Sequence, residues 1–312
     1  MAQLASLSEV SPGGLIASEP WMEAGTRAVH KMRNEGEQVE LTPDELFGLE
    51  AIVLLTGRPA ILIHNGRFFH PPEEWISLED CRDAIEKTLQ SVGRIEVMGH
   101  PSYSWVGTGF LVARDAVMTN RHVAEVFCQM GQRRKWRFKA GMTGRIDYVE
   151  EVGSTESAEF AFRSVIGIHE VLDMALFRVR VTSDSGAMPP EPLSLASSFA
   201  GVQEGRQVYT VGYPAWDGRR NDPLDMLQIF ANVFNVKRLQ PGVICDVFDQ
   251  RHILEHDCST LGGNSGSCII DLETKEVVGL HYGGRYMEGN YGVALWQITD
   301  DPLLTKAKVN FV

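Results

Sequence analysis

The chain has 312 residues, 44% of them apolar, which is enough material for one or two packed domains. Its 29 basic residues stand against 41 acidic ones, for a formal charge of −12. That balance excludes the broad basic face which nucleic acid or an anionic membrane surface would require, so neither is expected as a partner.

Taken in chain order, residues 1–18 are small, polar and punctuated by Gly and Pro, and residues 20–35 are compatible with a helix. The opening MAQLASLSEVSPGG has neither the basic nor the apolar region of a secretory signal, and no run of about 18 apolar residues predicts a membrane span. LTPDELFGLEAIVLL predicts a helix with Thr42 as N-cap, Pro43 in the first turn and Glu45 closing a capping box; Gly57-Arg58-Pro59 ends it. ILIHNGRFF predicts a hairpin turning at Asn65-Gly66. SLEDCRDAIEKTLQSV predicts an amphipathic helix capped by Ser77. Residues 1–90 therefore form a small α+β extension, and its place before a different kind of unit suggests regulation or docking.

From residue 91 the apolar period changes from helical to alternating. Short β-rich runs recur, among them RIEVM, GTGFLV, AVMTN, EFAFRSVIGIH, MALFRV, QVYTVGY, FNVKRL, GVICDV, GSCII, EVVGLHY and YGVALWQI. About a dozen strands separated by turn signals predict a mainly β sandwich or barrel pair over residues 91–312. Five cysteines (Cys81, Cys128, Cys245, Cys258, Cys268) are irregularly spaced with no C-x-x-C pair. They are expected as free thiols of a cytoplasmic protein rather than as a metal or redox motif.

Three segments of the β region hold the residues that bear on chemistry. GTGFLVARDAVMTNRHV is a hairpin that delivers His122 just past a strand end. HEVLDMALFRV puts Asp173 at the entrance of an apolar strand, and STLGGNSGSCIID surrounds Ser265 with glycines. A serine hydroxyl is a weak nucleophile unless a histidine takes its proton, and a carboxylate holds that histidine in the useful tautomer. The developing oxyanion needs backbone N–H donors, which glycines at 262, 263 and 266 leave free to point inward. Each residue alone also fits a bland role: a core histidine, a capping aspartate, an ordinary turn. Together their order, His122, Asp173, Ser265, is that of chymotrypsin and not of subtilisin or the α/β-hydrolases.

These blocks resemble the catalytic blocks of trypsin-like serine proteases with the chymotrypsin fold, in the bacterial branch of glutamyl endopeptidases and HtrA-like proteases. The resemblance implies two antiparallel six-stranded β-barrels over residues 91–312, a serine endopeptidase acting on protein or peptide substrates, and no cofactor or metal. It makes His122 the general base, Asp173 its orienting partner and Ser265 the nucleophile, with Gly263 and Ser265 N–H groups as the oxyanion hole. VVGLHYGG is similar to the strand lining the S1 pocket, which places Thr260, His281 and Gly283 around the P1 side chain and implies acidic P1 residues. Ser259 stands where Arg/Lys-specific relatives carry aspartate, and Asp257 lies two residues earlier. No I-V-G-G-type activation site is present, so the resemblance implies an intracellular, regulated member with a possible regulatory partner at residues 1–90. The alternative is a protease-fold binding module whose site is latent or inactive.

Two further features stay outside this reading. QRRKWRFKAG is a cationic loop and strand edge, which also protects against edge pairing. HILEH holds His252 and His256 without the H-E-x-x-H order of a zinc site.

Overall fold

A computed structural model describes residues 51–52, 57–183, 185–199, 205–216, 229–230, 233–285 and 289–312. The expected helix over 20–35 and the capping residues Thr42, Pro43 and Glu45 lie outside the described residues. The described part begins with strands β1 (Ala51–Ile52), β2 (Ile61–His64) and β3 (Arg67–Phe68), then helices α1 (Ser77–Asp80) and α2 (Arg82–Leu89). It continues with β4 (Val92–Met98), β5 (Trp105–Ala113), β6 (Ala116–Thr119), α3 (Arg121–Phe127), β7 (Cys128–Met130), β8 (Trp136–Phe138), β9 (Thr143–Asp147), β10 (Glu159–Ile168) and β11 (Ala175–Val179). The last part holds β12 (Gln207–Gly212), β13 (Arg238–Phe248), β14 (Ile253–His256), β15 (Thr260–Leu261), β16 (Cys268–Asp271), β17 (Val277–Arg285), β18 (Gly289–Ala294) and α4 (Pro302–Ala307).

Six antiparallel strands close the first barrel in the order β10-β11-β6-β5-β4-β9. The second runs β12-β16-β17-β18-β14-β13 and closes through β12 on β13. This is the expected mainly β fold with two barrels.

The apolar runs have two destinations. On β5 and β6, Leu111 and Val117 join an inner cluster with Phe127, Phe162 and Phe177, in which Phe162 and Phe177 stack at 4.6 Å. Their neighbours Phe110, Val112 and Met118 join a second cluster with Val211, Leu239, Ile270 and Leu280 of the other barrel. Alternate residues point to opposite faces, so β5 is buried along its whole length because both of its faces are covered.

The segment before the first barrel shares this second cluster through Ile61, Ile63, Phe68, Leu78, Ile85 and Leu89. Strand β2 extends the second barrel's sheet by pairing Ile61 with Leu239 and Leu62 with Arg238. Its turn at Asn65-Gly66 takes φ values of 50° and 72°, as the sequence predicted for a tight hairpin. Two buried cations sit at the junction. Lys237 Nζ donates to the carbonyls of Leu89 at 2.8 Å and Tyr148 at 2.6 Å, and Arg238 donates to those of Ala60, Phe230 and Val233. Burial lowers the pKa of both, Arg238 to about 9.

Three sequence expectations change. Ala51–Ile52, expected as helix, is a strand paired antiparallel with Thr260–Leu261, so tertiary pairing overrides local propensity there. Ser77 makes no capping bond, because the chain is already helical at Ile76, arriving from a 3₁₀ turn at Glu73–Trp75. FNVKRL and GVICDV, expected as two separate strands, are joined: β13 runs without a break through Gln240 and Pro241 while β12 pairs along it. Among the described residues no helix is long and apolar enough to cross a membrane.

Candidate active site

Strand β6 ends at Thr119, and the backbone turns at Asn120 into α3, which puts His122 in the first helical turn. The barrel pairing of β6 with β11 brings Asp173, just ahead of β11, to the same end. Asp173 Oδ1 accepts the His122 backbone N–H at 3.0 Å, and Asp173 Oδ2 lies 2.6 Å from His122 Nδ1. Asn120 Nδ2 donates to the Asp173 carbonyl at 2.9 Å and fixes that loop from the other side. The opposite ring nitrogen, His122 Nε2, lies 2.6 Å from Ser265 Oγ.

Ser265 comes from the second barrel, on the turn between β15 and β16, and it is docked onto the first barrel through Thr108 of β5. The Thr108 N–H donates to the Ser265 carbonyl and the Thr108 hydroxyl to the Gly263 carbonyl, both at 2.8 Å. The turn requires glycine at two positions. Gly263 and Gly266 have φ of +94° and +88°; a Cβ would stand 2.4 Å from the Tyr213 carbonyl oxygen in the first case and 2.1 Å from that of Thr108 in the second.

The turn also aims two backbone donors. The Gly262 carbonyl accepts from Ala215 N at 2.6 Å, and no cis peptide occurs among the described residues. In a trans peptide the N–H opposes the C=O, so the Gly263 N–H faces away from Ala215. The Asn264 carbonyl accepts from Ser267 N at 2.8 Å and turns the Ser265 N–H outward in the same way. Among the described residues neither N–H is used on a backbone acceptor. Asn264 secures the turn with its backbone N–H and its Nδ2, both 3.1 Å from the Leu261 carbonyl.

Thr260, His281 and Gly283 lie on β15 and β17, and Gly283 pairs with Tyr291 of β18 just past a bulge. Thr260 differs from expectation: its hydroxyl donates to Asn290 Oδ1 at 2.6 Å and would have to rotate to serve a ligand as a donor. Asn290, which the sequence did not single out, also donates to the Cys258 carbonyl at 2.7 Å. His281 Nδ1 lies 3.1 Å from His256 Nε2. Burial holds both imidazoles far below their usual pKa, His256 at about 3, so both are neutral at neutral pH. When His256 donates across this contact, the remaining hydrogen of His281 sits on Nε2, a buried atom without a partner among the described residues. HILEH was thus half informative: His256 backs His281, while His252 sits at a turn beside Gln297.

Cys268 is buried on β16, and burial pushes its thiol up to about 12, which favours the unreactive thiol form. All five cysteines are free thiols. Glu96, Asp147 and Glu150 approach closely enough to offer three carboxylates to a cation. Arg94 already bridges Glu96 and Glu150, and Arg145 takes the second oxygen of Glu96, so two of the three carboxylates are ion-paired, while Asp147 Oδ1 accepts the backbone N–H groups of Val149 and Ala158.

The family model described as a trypsin-like peptidase domain matches residues 107–280, from β5 to β17. A probable serine protease of Lysobacter enzymogenes is 31% identical over 290 residues, covering 82% of this chain and 74% of that one. Exfoliative toxin A of Staphylococcus aureus is 24% identical over 238 residues, covering 73% of this chain and 74% of the toxin. Among solved structures, the active form of the Rv3671c protease from M. tuberculosis aligns with 73% of this chain and 85% of its own, with a TM-score of 0.46 and 20% identity.

Proposed function

The chain belongs to the trypsin-like serine peptidase family and is a serine endopeptidase; from that premise we propose that His122, Asp173 and Ser265 are its catalytic triad. The observation that carries this reading is His122, with one nitrogen 2.6 Å from Ser265 Oγ and the other 2.6 Å from Asp173. Ser265 Oγ attacks the scissile carbonyl as His122 Nε2 takes its proton, and the negative oxygen settles on the N–H groups of Gly263 and Ser265. His122 returns the proton to the leaving amine. Water then enters and its oxygen adds to the acyl carbon as His122 takes its proton; the bond to Ser265 Oγ breaks, releasing the acid, and His122 passes that proton to Ser265 Oγ. No step calls for a cofactor or metal. The alternative of a binding module with a silent site has no support in three groups held at hydrogen-bond distance.

The finer reading is a preference for acidic P1 residues, Glu above all. A neutral His281 with its hydrogen on Nε2 can donate to a carboxylate, and a bound carboxylate favours the imidazolium. In a peptide-library digest compared with Ser265→Ala, Glu is expected at P1, and His281→Leu is expected to lower cleavage after Glu by about tenfold or more. A P1 profile without acidic enrichment removes this reading.

The five free thiols suit a reducing compartment, and on this reading the enzyme works in the cytoplasm. Regulation through a partner would involve residues 1–50, because residues 60–90 contribute to the barrels' shared core. Removing residues 1–50 is expected to leave cleavage of a short peptide and change which proteins are recovered with the enzyme. Unchanged recovery and unchanged activity would discard regulation.

A further inference from the structure

The short strand leading to the nucleophile turn is gripped from outside the catalytic barrels. Arg58 Nη2 donates to Asp257 Oδ2 at 2.5 Å, and the other Asp257 oxygen accepts from Val243 N at 2.6 Å. The Arg58 carbonyl accepts the hydroxyl of Ser259 at 2.7 Å. Arg58 itself is held in place. Its Nη1 donates to the Gly57 carbonyl at 3.0 Å, which also accepts Trp75 Nε1 at 2.6 Å, and its guanidinium lies over the Trp75 ring at 5.4 Å. Downstream, the Ala60 carbonyl is bound by Arg238, and Ala60 packs with Leu261. Upstream, Ala51–Ile52 pairs with Thr260–Leu261. Residues 51–52 and 58–60 therefore lie against Asp257–Leu261.

On the protease reading, Asp257–Leu261 is one wall of the P1 pocket. The wall's barrel side is set by Gln240, which donates to the Ser259 carbonyl at 2.7 Å, and by Asn290 on Cys258 and Thr260. Its outer side is set by Arg58, through one side-chain contact and one backbone contact two residues apart. The Leu261 carbonyl at the end of this wall is also the acceptor that anchors Asn264, next to the nucleophile.

We propose that Arg58 is a positioning residue of the substrate pocket, holding Asp257 and Ser259 so that the extension forms part of the P1 wall. This rests on the protease reading, since it supplies that pocket's outer support. Asp257, two residues from the position that would hold an Arg/Lys-specific aspartate, is paired with Arg58 instead of facing a basic P1 side chain. The guanidinium suits the task because it reaches Asp257 and the Gly57 carbonyl at once; an ammonium offers no such planar fork.

The test is steady-state kinetics on the best peptide from the library digest, with fluorophosphonate labelling of Ser265 alongside. Arg58→Ala is expected to raise KM by about tenfold to a hundredfold, the range for misplacing a site from a distance, with a smaller change in kcat and a broader P1 profile. Arg58→Lys should recover part of the loss. Asp257→Asn should act in the same direction, and the double variant should be no worse than the stronger single one, because both remove one contact. A merely structural contact would lower Tm and leave KM, kcat and the P1 profile in their wild-type ratios. That result for Arg58→Ala overturns the proposal. If Arg58→Ala does not fold, Arg58→Lys decides: a wild-type KM and P1 profile overturn it. A wild type that neither labels nor cleaves overturns the protease reading and this inference with it. An active wild type with indifferent Arg58 variants overturns this inference alone.

Discussion

Ser265→Ala loses covalent labelling by a fluorophosphonate altogether, and its peptide cleavage falls by about 10⁴-fold to 10⁶-fold. The reason is local. The Ser265 hydroxyl is the group within reach of His122 Nε2, and alanine leaves the base with no oxygen to activate. The fold should survive, because the turn is held through backbone atoms. Thr108 N binds the Ser265 carbonyl and the Gly266 N–H binds the His281 carbonyl, whichever side chain stands at 265. Circular dichroism and Tm close to wild type are therefore expected beside the lost activity. Labelling that persists in Ser265→Ala would move the nucleophile to another hydroxyl and end the triad assignment.

The next largest effect is expected at Asp173. Its two oxygens have different tasks, one accepting the His122 backbone N–H and the other facing His122 Nδ1. An asparagine keeps the first bond with its amide oxygen, which turns its NH₂ toward Nδ1. That donor forces the imidazole hydrogen onto Nε2, the atom that must be free to take the Ser265 proton. Asp173→Asn should therefore keep the fold and lose about 10⁴-fold in kcat, the cost of holding the wrong tautomer. Asn120 binds the Asp173 backbone, so the loop itself is undisturbed. Measured turnover within about tenfold of wild type would show that Asp173 does not set the tautomer, against the range expected for such a residue.

Much of this was legible before any coordinates. The alternating apolar runs, the glycines around Ser265 and the Asn65-Gly66 turn are constraints that act within a few residues. A positive φ at Gly263 or Gly266 is a local conformation that glycine allows by its own geometry. The failures share a different cause. FNVKRL and GVICDV read as two runs with a turn between them, yet β13 passes straight through Gln240-Pro241, where its pairing with β12 outweighs the proline's local preference. Ala51–Ile52 reads as helix by its neighbours and becomes a strand by its partner.

The pocket shows the same division. Thr260 and His281 were visible as candidates through resemblance, but their working states depend on residues far along the chain. Asn290 takes the Thr260 hydroxyl, and the His281 tautomer is coupled to that of His256 through their shared contact. Arg58 is further still from Asp257 and Ser259 in sequence, and nothing near it distinguishes it from a helix-stopping Gly-Arg-Pro.

By itself the sequence determined the class of fold, the three segments that meet, and the chemical identity of the groups in them, because periodicity, turn geometry and side-chain chemistry are local properties. Only the tertiary structure decided that His122 sits between Asp173 and Ser265, which carbonyls the turn around Ser265 is tied to, and that Arg58 binds Asp257 and Ser259. Those outcomes depend on closing two barrels against each other, and that closure chooses hydrogen-bond partners by position in space, whatever their separation along the chain.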